Sequence, residues 1–219
     1  MKYTTIVFDC DGTLLNTATD LANAVNHVLR THNFPEKSLA EVKAALGNAV
    51  TYLMRQCLPS TIPDHELEPY IEEFKAYYGK HLKDITAPYP GILDMLDVLR
   101  EQGYKLAIVS NKIQEGVIPL NKEYFGDRLP VAIGERPGLQ RKPAPDMVLQ
   151  ALKELGSRPE ESIYVGDSEV DVATAKNSGL LCIGVTWGFR EESLHQELGV
   201  THIARKADDI LSIVENLNK

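Results

Sequence analysis

The chain has 219 residues, 43% of them hydrophobic, and a formal net charge of −8. That length supplies one well-buried core and a smaller appended unit, and no stretch approaches the ~18 apolar residues that a membrane span requires. The acidic balance argues against nucleic acid as a partner, and an anionic substrate would have to meet locally placed positive charge.

A soluble, cytoplasmic protein is expected, because the N-terminus enters a strand pattern with no basic and apolar leader. Cys10, Cys57 and Cys182 are scattered, without CxxC or Cys/His spacing, so neither a disulfide framework nor a zinc site is expected. Along the chain, the first strand is predicted over residues 3–8 and runs into Asp9-Cys10-Asp11-Gly12-Thr13. Alternation puts Asp9 and Asp11 on one face and turns Cys10 toward the core, while Gly12 lets the backbone turn away. Two carboxylates so close imply either a shared proton or a bound cation.

Residues 16–87 contain no strand pattern. Leu21, Ala24, Val25, Val28 and Leu29 keep helical spacing, Val42, Ala45 and Leu46 begin a second helix, and Tyr52 and Leu53 belong to a third. Leu67, Tyr70, Ile71, Phe74, Tyr77 and Tyr78 carry a fourth, whose aromatics read as packing and not as a binding stripe. This interval is predicted to be an all-helical unit hung on the sheet by two connectors, the second ending at Pro88-Tyr89-Pro90-Gly91. Further strands are predicted over 105–109, 131–133, 162–165, 180–185 and 202–204, with helices that stop at Gly103, Gly156 and Gly179. The fold class is therefore α/β: a Rossmann-like three-layer core with a central parallel sheet, residues 1–15 and 88–219, plus the helical insert.

The strand ends carry the polar residues. Ser110-Asn111-Lys112 follows the second main strand and offers a hydroxyl and backbone N–H groups to an oxyanion. Arg141-Lys142-Pro143-Ala144-Pro145 opens a helix, its two prolines holding Lys142 in place. Gly166-Asp167-Ser168-Glu169-Val170-Asp171 adds two carboxylates, or else simple helix caps. Asp9, Asp11, Asp167 and Asp171 together would repel without a hard cation, and an all-oxygen set suits Mg²⁺. The six histidines lack metal-ligand spacing, and none is assigned a catalytic role.

DxDGT, Ser-Asn, KPxP and GDxxxD, in this order and spacing, resemble the haloacid dehalogenase superfamily over essentially the whole chain. The similarity is to its phosphatase branch with a helical cap after the first strand. Thr186-Trp187-Gly188-Phe189-Arg190 further resembles phosphoglycolate-phosphatase-like members. The resemblance implies that Asp9 is the nucleophile, Asp11 the general acid/base, and Lys142, Ser110 and Asn111 the phosphate-binding groups. Asp9, the Asp11 carbonyl and Asp167 would then hold Mg²⁺, with Asp171 a ligand or a residue just behind. Relatives often carry Asp-Ser where this chain has Asn16-Thr17, a position at the cap hinge. They place a specificity loop near Gly47, which makes Lys43, Asn48 and Arg55 candidates to contact the leaving group. Arg190 either closes the site or lays its stem on a neighbouring aromatic.

The function implied is Mg²⁺-dependent hydrolysis of a small phosphorylated metabolite, phosphoglycolate first, by a monomer or homodimer. The alternatives within the superfamily are an inorganic pyrophosphatase and a sugar-phosphate phosphatase or mutase; a phosphonatase would need a suitably placed cap lysine. Outside it stands a catalytically silent phosphate sensor, whose mark, loss of Asp9, Asp11, Lys142 or Asp167, is absent.

Overall fold

The computed structural model describes residues 1–219. Strand β1 (Thr5–Phe8) is buried on both faces, as a strand must be when helices cover both sides of its sheet. The chain then runs through β2 (Leu15–Asn16), α1 (Ala18–Thr31), α2 (Leu39–Ala45), α3 (Val50–Cys57), α4 (Glu68–Tyr78) and β3 (Ala87–Pro88). After these come α5 (Ile92–Glu101), β4 (Lys105–Ile113), α6 (Gln114–Tyr124), β5 (Val131–Glu135), α7 (Asp146–Leu155) and β6 (Ser162–Gly166). The last elements are α8 (Glu169–Ser178), β7 (Leu181–Val185), α9 (Glu192–Glu197), β8 (His202–Ala204) and α10 (Ala207–Leu217).

Six strands form one parallel sheet in the order β5-β4-β1-β6-β7-β8. With β1 inside the sheet, Thr5 pairs with both Lys105 and Ser162, so the ends of β4 and β6 flank Asp9. Ile6, Phe8 and Cys10 point to one face, where they pack with Met95 and Leu99 of α5, Val117 of α6 and Ile210 of α10. Val7 points to the other, against Met147 and Leu152 of α7 and Ala175 of α8. The result is a three-layer α/β core of the expected class.

Helices α1 to α4 have an apolar core of their own, in which Val25, Val28 and Leu29 meet Leu53, Ile71 and Phe74. Their amphipathic stripes cannot be covered within one helix and are satisfied by each other. The connectors are more ordered than expected: Leu15 pairs with Pro88 and Asn16 with Ala87 as an antiparallel ribbon. Two residues per strand are too few to give a periodic signal. Asp20 on α1 locks the second connector, accepting from the Ile85 N–H (3.0 Å), the Thr86 N–H (2.8 Å) and the Thr86 hydroxyl (2.8 Å).

Other differences have local causes. β4 continues to Ile113, past a register shift after Val109, so Ser110 and Asn111 lie within the strand and not after it. The Gln114 amide supports this passage, donating to the Ala132 carbonyl (3.0 Å) and accepting from the Gly134 N–H (2.6 Å). A Cβ at Gly134 would stand 2.7 Å from the Lys112 carbonyl, so only glycine lets the two strands pass. Helix α6 escapes sequence patterning because Pro119 sits inside it. No helix is long and apolar enough to cross a membrane.

Candidate active site

Asp9 ends β1 and donates its backbone N–H to the Val165 carbonyl (2.9 Å), which fixes it between the two neighbouring strands. Lys142 arrives from the segment before α7 and is buried, its ammonium donating to Asp9 Oδ1 (2.7 Å), Asp171 Oδ1 (2.7 Å) and the Tyr164 hydroxyl (3.0 Å). Asp171 has both roles open to it. It completes a capping box with Ser168 at the start of α8, and its other oxygen serves Lys142. A Cβ at Gly166 would overlap the Asp171 side chain, so this glycine sets how closely α8 abuts the strand end.

Asp167 is held by the Thr13 hydroxyl (3.2 Å) and the Phe189 N–H (2.7 Å). Glycines wrap it: a Cβ at Gly12, where φ is +91°, would lie 2.5 Å from Asp167 Oδ2, and one at Gly188 would overlap the side chain. Oxygens of Asp9, Asp167 and Asp171 lie within 4.8 Å of one another. Lys142 is the cation set among these three carboxylates, and the electrostatics reflect it. Burial and the charge of Asp171 raise the Asp9 carboxyl well above its usual range, against the pull of Lys142. Burial and Asp171 also push Asp167 up to about 7, opposed by Phe189 and Thr13. Asp171 goes the other way, because Lys142 and Ser168 outweigh its burial. Lys142 itself loses by burial but gains more from Asp171 and Asp9, so it stays charged.

Asp11 has partners of its own, separate from those of Asp9. Its Oδ2 accepts from the Ser110 hydroxyl (3.3 Å), and its Oδ1 lies 3.1 Å from the Lys112 ammonium. Asp9, Asp11, Ser110, Asn111 and Lys142 border a cavity of about 480 Å³ whose other wall is Leu46, Asn48, Phe74 and Tyr78 of the helical unit.

The model of the haloacid dehalogenase-like hydrolases matches residues 6–185. The chain belongs to this family. A phosphoglycolate phosphatase of Pseudomonas putida is 34% identical over 84% of this chain and 70% of that protein. One from Aquifex aeolicus is 30% identical over 96% of both. Among crystal structures, a protein of Lactobacillus delbrueckii subsp. bulgaricus assigned as a phosphoglycolate phosphatase superposes with a TM-score of 0.90 at 35% identity, covering 96% of this chain and 97% of its own.

In this haloacid dehalogenase-like hydrolase the structure brings Asp9, Asp11, Ser110, Lys142, Asp167 and Asp171 to one place. Asn111 joins them in a bridging position, its amide donating to the carbonyls of Lys142 (3.1 Å) and Gly47 (3.4 Å), which ties the sheet to the cap. Of the expected cap residues, only Asn48 faces the cavity. Arg55 is a correction: its guanidinium folds back onto the Pro59 carbonyl (2.7 Å) and the Ile62 carbonyl, closing the loop after α3. Lys43 also stays out of the cavity wall; its backbone carbonyl matters, accepting from Arg190 (3.0 Å). Arg190 also donates to the Leu46 carbonyl (2.8 Å) and grips Glu169 through two nitrogens (2.8 and 3.0 Å), so it links core to cap and does not itself line the cavity.

Two buried side chains of the site are assigned no role from the sequence. Tyr164, inside β6, reads as core filler, yet its hydroxyl accepts from Lys142 and donates to Asp171 Oδ1 (3.2 Å). Lys112, next to Ser-Asn, reads as a solvated lysine. Its ammonium is instead buried, donating to the Tyr78 hydroxyl (2.8 Å). Burial opposes its charge, but Asp11 and Tyr78 more than compensate and raise its pKa.

Proposed function

We propose that this enzyme is a phosphoric monoester hydrolase acting through an aspartyl-phosphate on Asp9, with phosphoglycolate as its leading substrate. The observation that carries the reading is the pairing around Asp9: Lys142 binds Asp9 and Asp171 beside the carboxylate cluster, and Asp11, bonded to Ser110, borders the same cavity. The relatives' phosphoglycolate phosphatase names support the substrate.

The donor set fits Mg²⁺. Three buried carboxylates lie together and Lys142 is bonded to only two of them, Asp9 and Asp171; every ligand atom is oxygen, and Gly12 and Gly188 leave Asp167 close to the first strand's end. Asp9, the Asp11 carbonyl and Asp167 would hold the ion, with Asp171 behind them engaged by Lys142 and Ser168. When bound, the ion supplies positive charge to the phosphoryl oxygens and permits the carboxylates to ionise together.

A carboxylate oxygen of Asp9 attacks phosphorus as the ester P–O bond breaks, and Asp11 gives its proton to the departing oxygen. Lys142 and the Ser110 hydroxyl stabilise the charge on the transferring group. Water then attacks the phosphorus of the acyl-phosphate while Asp11 takes its proton, releasing inorganic phosphate and restoring Asp9. Every one of these groups comes from one chain, so the chemistry needs no second subunit, and a cytoplasmic phosphometabolite is the substrate class it suits.

The test is phosphate release from phosphoglycolate, sugar phosphates, pyrophosphate and p-nitrophenyl phosphate, with and without Mg²⁺. Turnover that needs the ion and vanishes in Asp9→Asn is expected. Full activity in Asp9→Asn, or no turnover of any of these compounds, would overturn the proposal.

A further inference from the structure

The site holds a second buried cation that the hydrolytic chemistry leaves unassigned. Lys142 is committed to Asp9, Asp171 and Tyr164, on the nucleophile's side. Lys112 is paired instead with Asp11 (3.1 Å), its side chain only 6% exposed and bordering the cavity. Other lysines at the cavity do not compete for its position: Lys75 is paired with Glu72 (2.7 Å), Lys83 with Glu123 (2.6 Å), and Lys80 is exposed.

An ammonium has three N–H donors, and Lys112 makes one side-chain hydrogen bond, to Tyr78. Its 3.1 Å approach to Asp11 is an ion pair without hydrogen-bond alignment, and Asp11 Oδ1 is itself buried without a hydrogen-bond partner. A buried charged donor with unmet capacity is costly unless something completes it. Tyr78 fixes the ammonium from the cap side, its ring 4.5 Å away, so the charge is positioned and not mobile.

Position decides what completes it. In the proposed reaction Asp11 protonates the ester oxygen, so that oxygen lies against the Asp11 carboxyl. A group a carbon or two farther along the leaving alcohol then falls beside Lys112. We propose that Lys112, held by Tyr78, is the specificity-determining cation of this site, and that it binds a carboxylate carried by the leaving group. This rests on the phosphatase reading and narrows its substrate class to short phosphorylated hydroxy acids.

The experiment compares phosphoglycolate with 2-hydroxyethyl phosphate, which has the same skeleton with a neutral hydroxymethyl in place of the carboxylate. Wild-type enzyme should favour the acid in kcat/KM by about 10- to 100-fold, the range of a hydrogen bond between charged groups. Lys112→Met should collapse that ratio to near unity, mainly through KM, while Lys112→Arg retains part of it. Tyr78→Phe, which keeps the ring and removes the acceptor, should lower the ratio by a smaller factor and covers the case of a Lys112→Met protein that does not fold. Equal handling of both esters by the wild type, or a preference that survives in Lys112→Met, overturns the proposal. A parallel fall on both esters also overturns it, since that is what a lysine acting only through Asp11 would give. If no phosphoester is turned over, including p-nitrophenyl phosphate, the phosphatase reading itself fails and the proposal with it; turnover without charge discrimination removes the proposal alone.

Discussion

At the scale of single residues, the site is an arrangement of buried charges in which each member is costly alone. Replacing Lys142 by Met leaves Asp9 and Asp171, 6% and 1% exposed, facing each other without their shared cation. Breaking a buried pair in this way costs about 3–5 kcal/mol, so Lys142→Met should unfold at much lower denaturant in the absence of metal. A loss below about 1 kcal/mol in urea unfolding would mean that the lysine is not the structural counter-charge described here. Protonation gives a second expectation. Asp9 and Asp167 are raised, so without metal the folded protein keeps protons there that the unfolded chain releases near its ordinary carboxylate range. Asp167 therefore reduces stability as pH rises from about 4 to about 7 and Asp9 acts in the same direction, whereas Asp171, lowered, acts only below that window. A cation must displace those protons, at roughly 1.4 kcal/mol per pH unit for each one. The stabilisation by Mg²⁺ in thermal unfolding should consequently grow from about pH 5.5 to about pH 8; a shift independent of pH would contradict it. The carboxylates and Lys142 were legible in the sequence because each directly follows a strand or opens a helix in a short motif. Tyr164 and Lys112 were not, since a tyrosine inside a strand looks like packing and a lysine beside a turn looks solvated. Arg55 misled because helical spacing fixes where a long side chain starts but not where its end group folds.

At the scale of elements, the site depends on how strand ends and helix starts are brought together, and the sequence was explicit about most of this. Alternation and terminal glycines predicted all six sheet strands, α7 ending at Gly156 and α8 at Gly179. Patterning failed where a chain rule is broken by tertiary support. Pro119 should disrupt α6, yet burial of Val117 and Leu120 holds the helix. Likewise, β4 extends past its register shift because Gln114 replaces missing ladder partners at β5. The connector ribbon is the element most exposed to test. Asp20 is 1% exposed and satisfies two backbone N–H groups and a hydroxyl of the second connector. Asp20→Ala leaves those donors buried and unpaired, at about 1–3 kcal/mol each where no water replaces the carboxylate. A fall in Tm with loss of amide protection at Ile85 and Thr86 is expected; retained protection there would show that the ribbon alone holds the hinge.

At the scale of the molecule, the cavity lies between two units with separate cores, and its 480 Å³ is several times the volume of a two-carbon phosphoester. A substrate that small cannot exclude water from such a space unless the cap closes farther over Asp9 and Asp11. Phe189 packs on the apolar cluster of the cap and Lys112 donates to Tyr78, and further polar contacts would guide closure. Arg190 joins Glu169 on the core to the carbonyls of Lys43 and Leu46 on the cap, and Asn111 reaches the Gly47 carbonyl. These contacts meet the turn after α2, while Asp20 and the ribbon act at the connectors. Removing the guanidinium in Arg190→Ala deletes two cap carbonyl bonds, one of them to Leu46 of the cavity wall, and leaves Glu169 unpaired. The cap should then spend more time open: the radius of gyration in solution scattering should rise, and kcat/KM should fall by about 10-fold, the equivalent of ~1.4 kcal/mol of lost closure. Because Arg190 lies away from the reacting atoms, a closed, pre-bound transition-state analogue should restore the wild-type scattering profile. Unchanged scattering together with unchanged kcat/KM would mean that the hinge and the remaining contacts position the cap and that the Arg190 bridge is incidental.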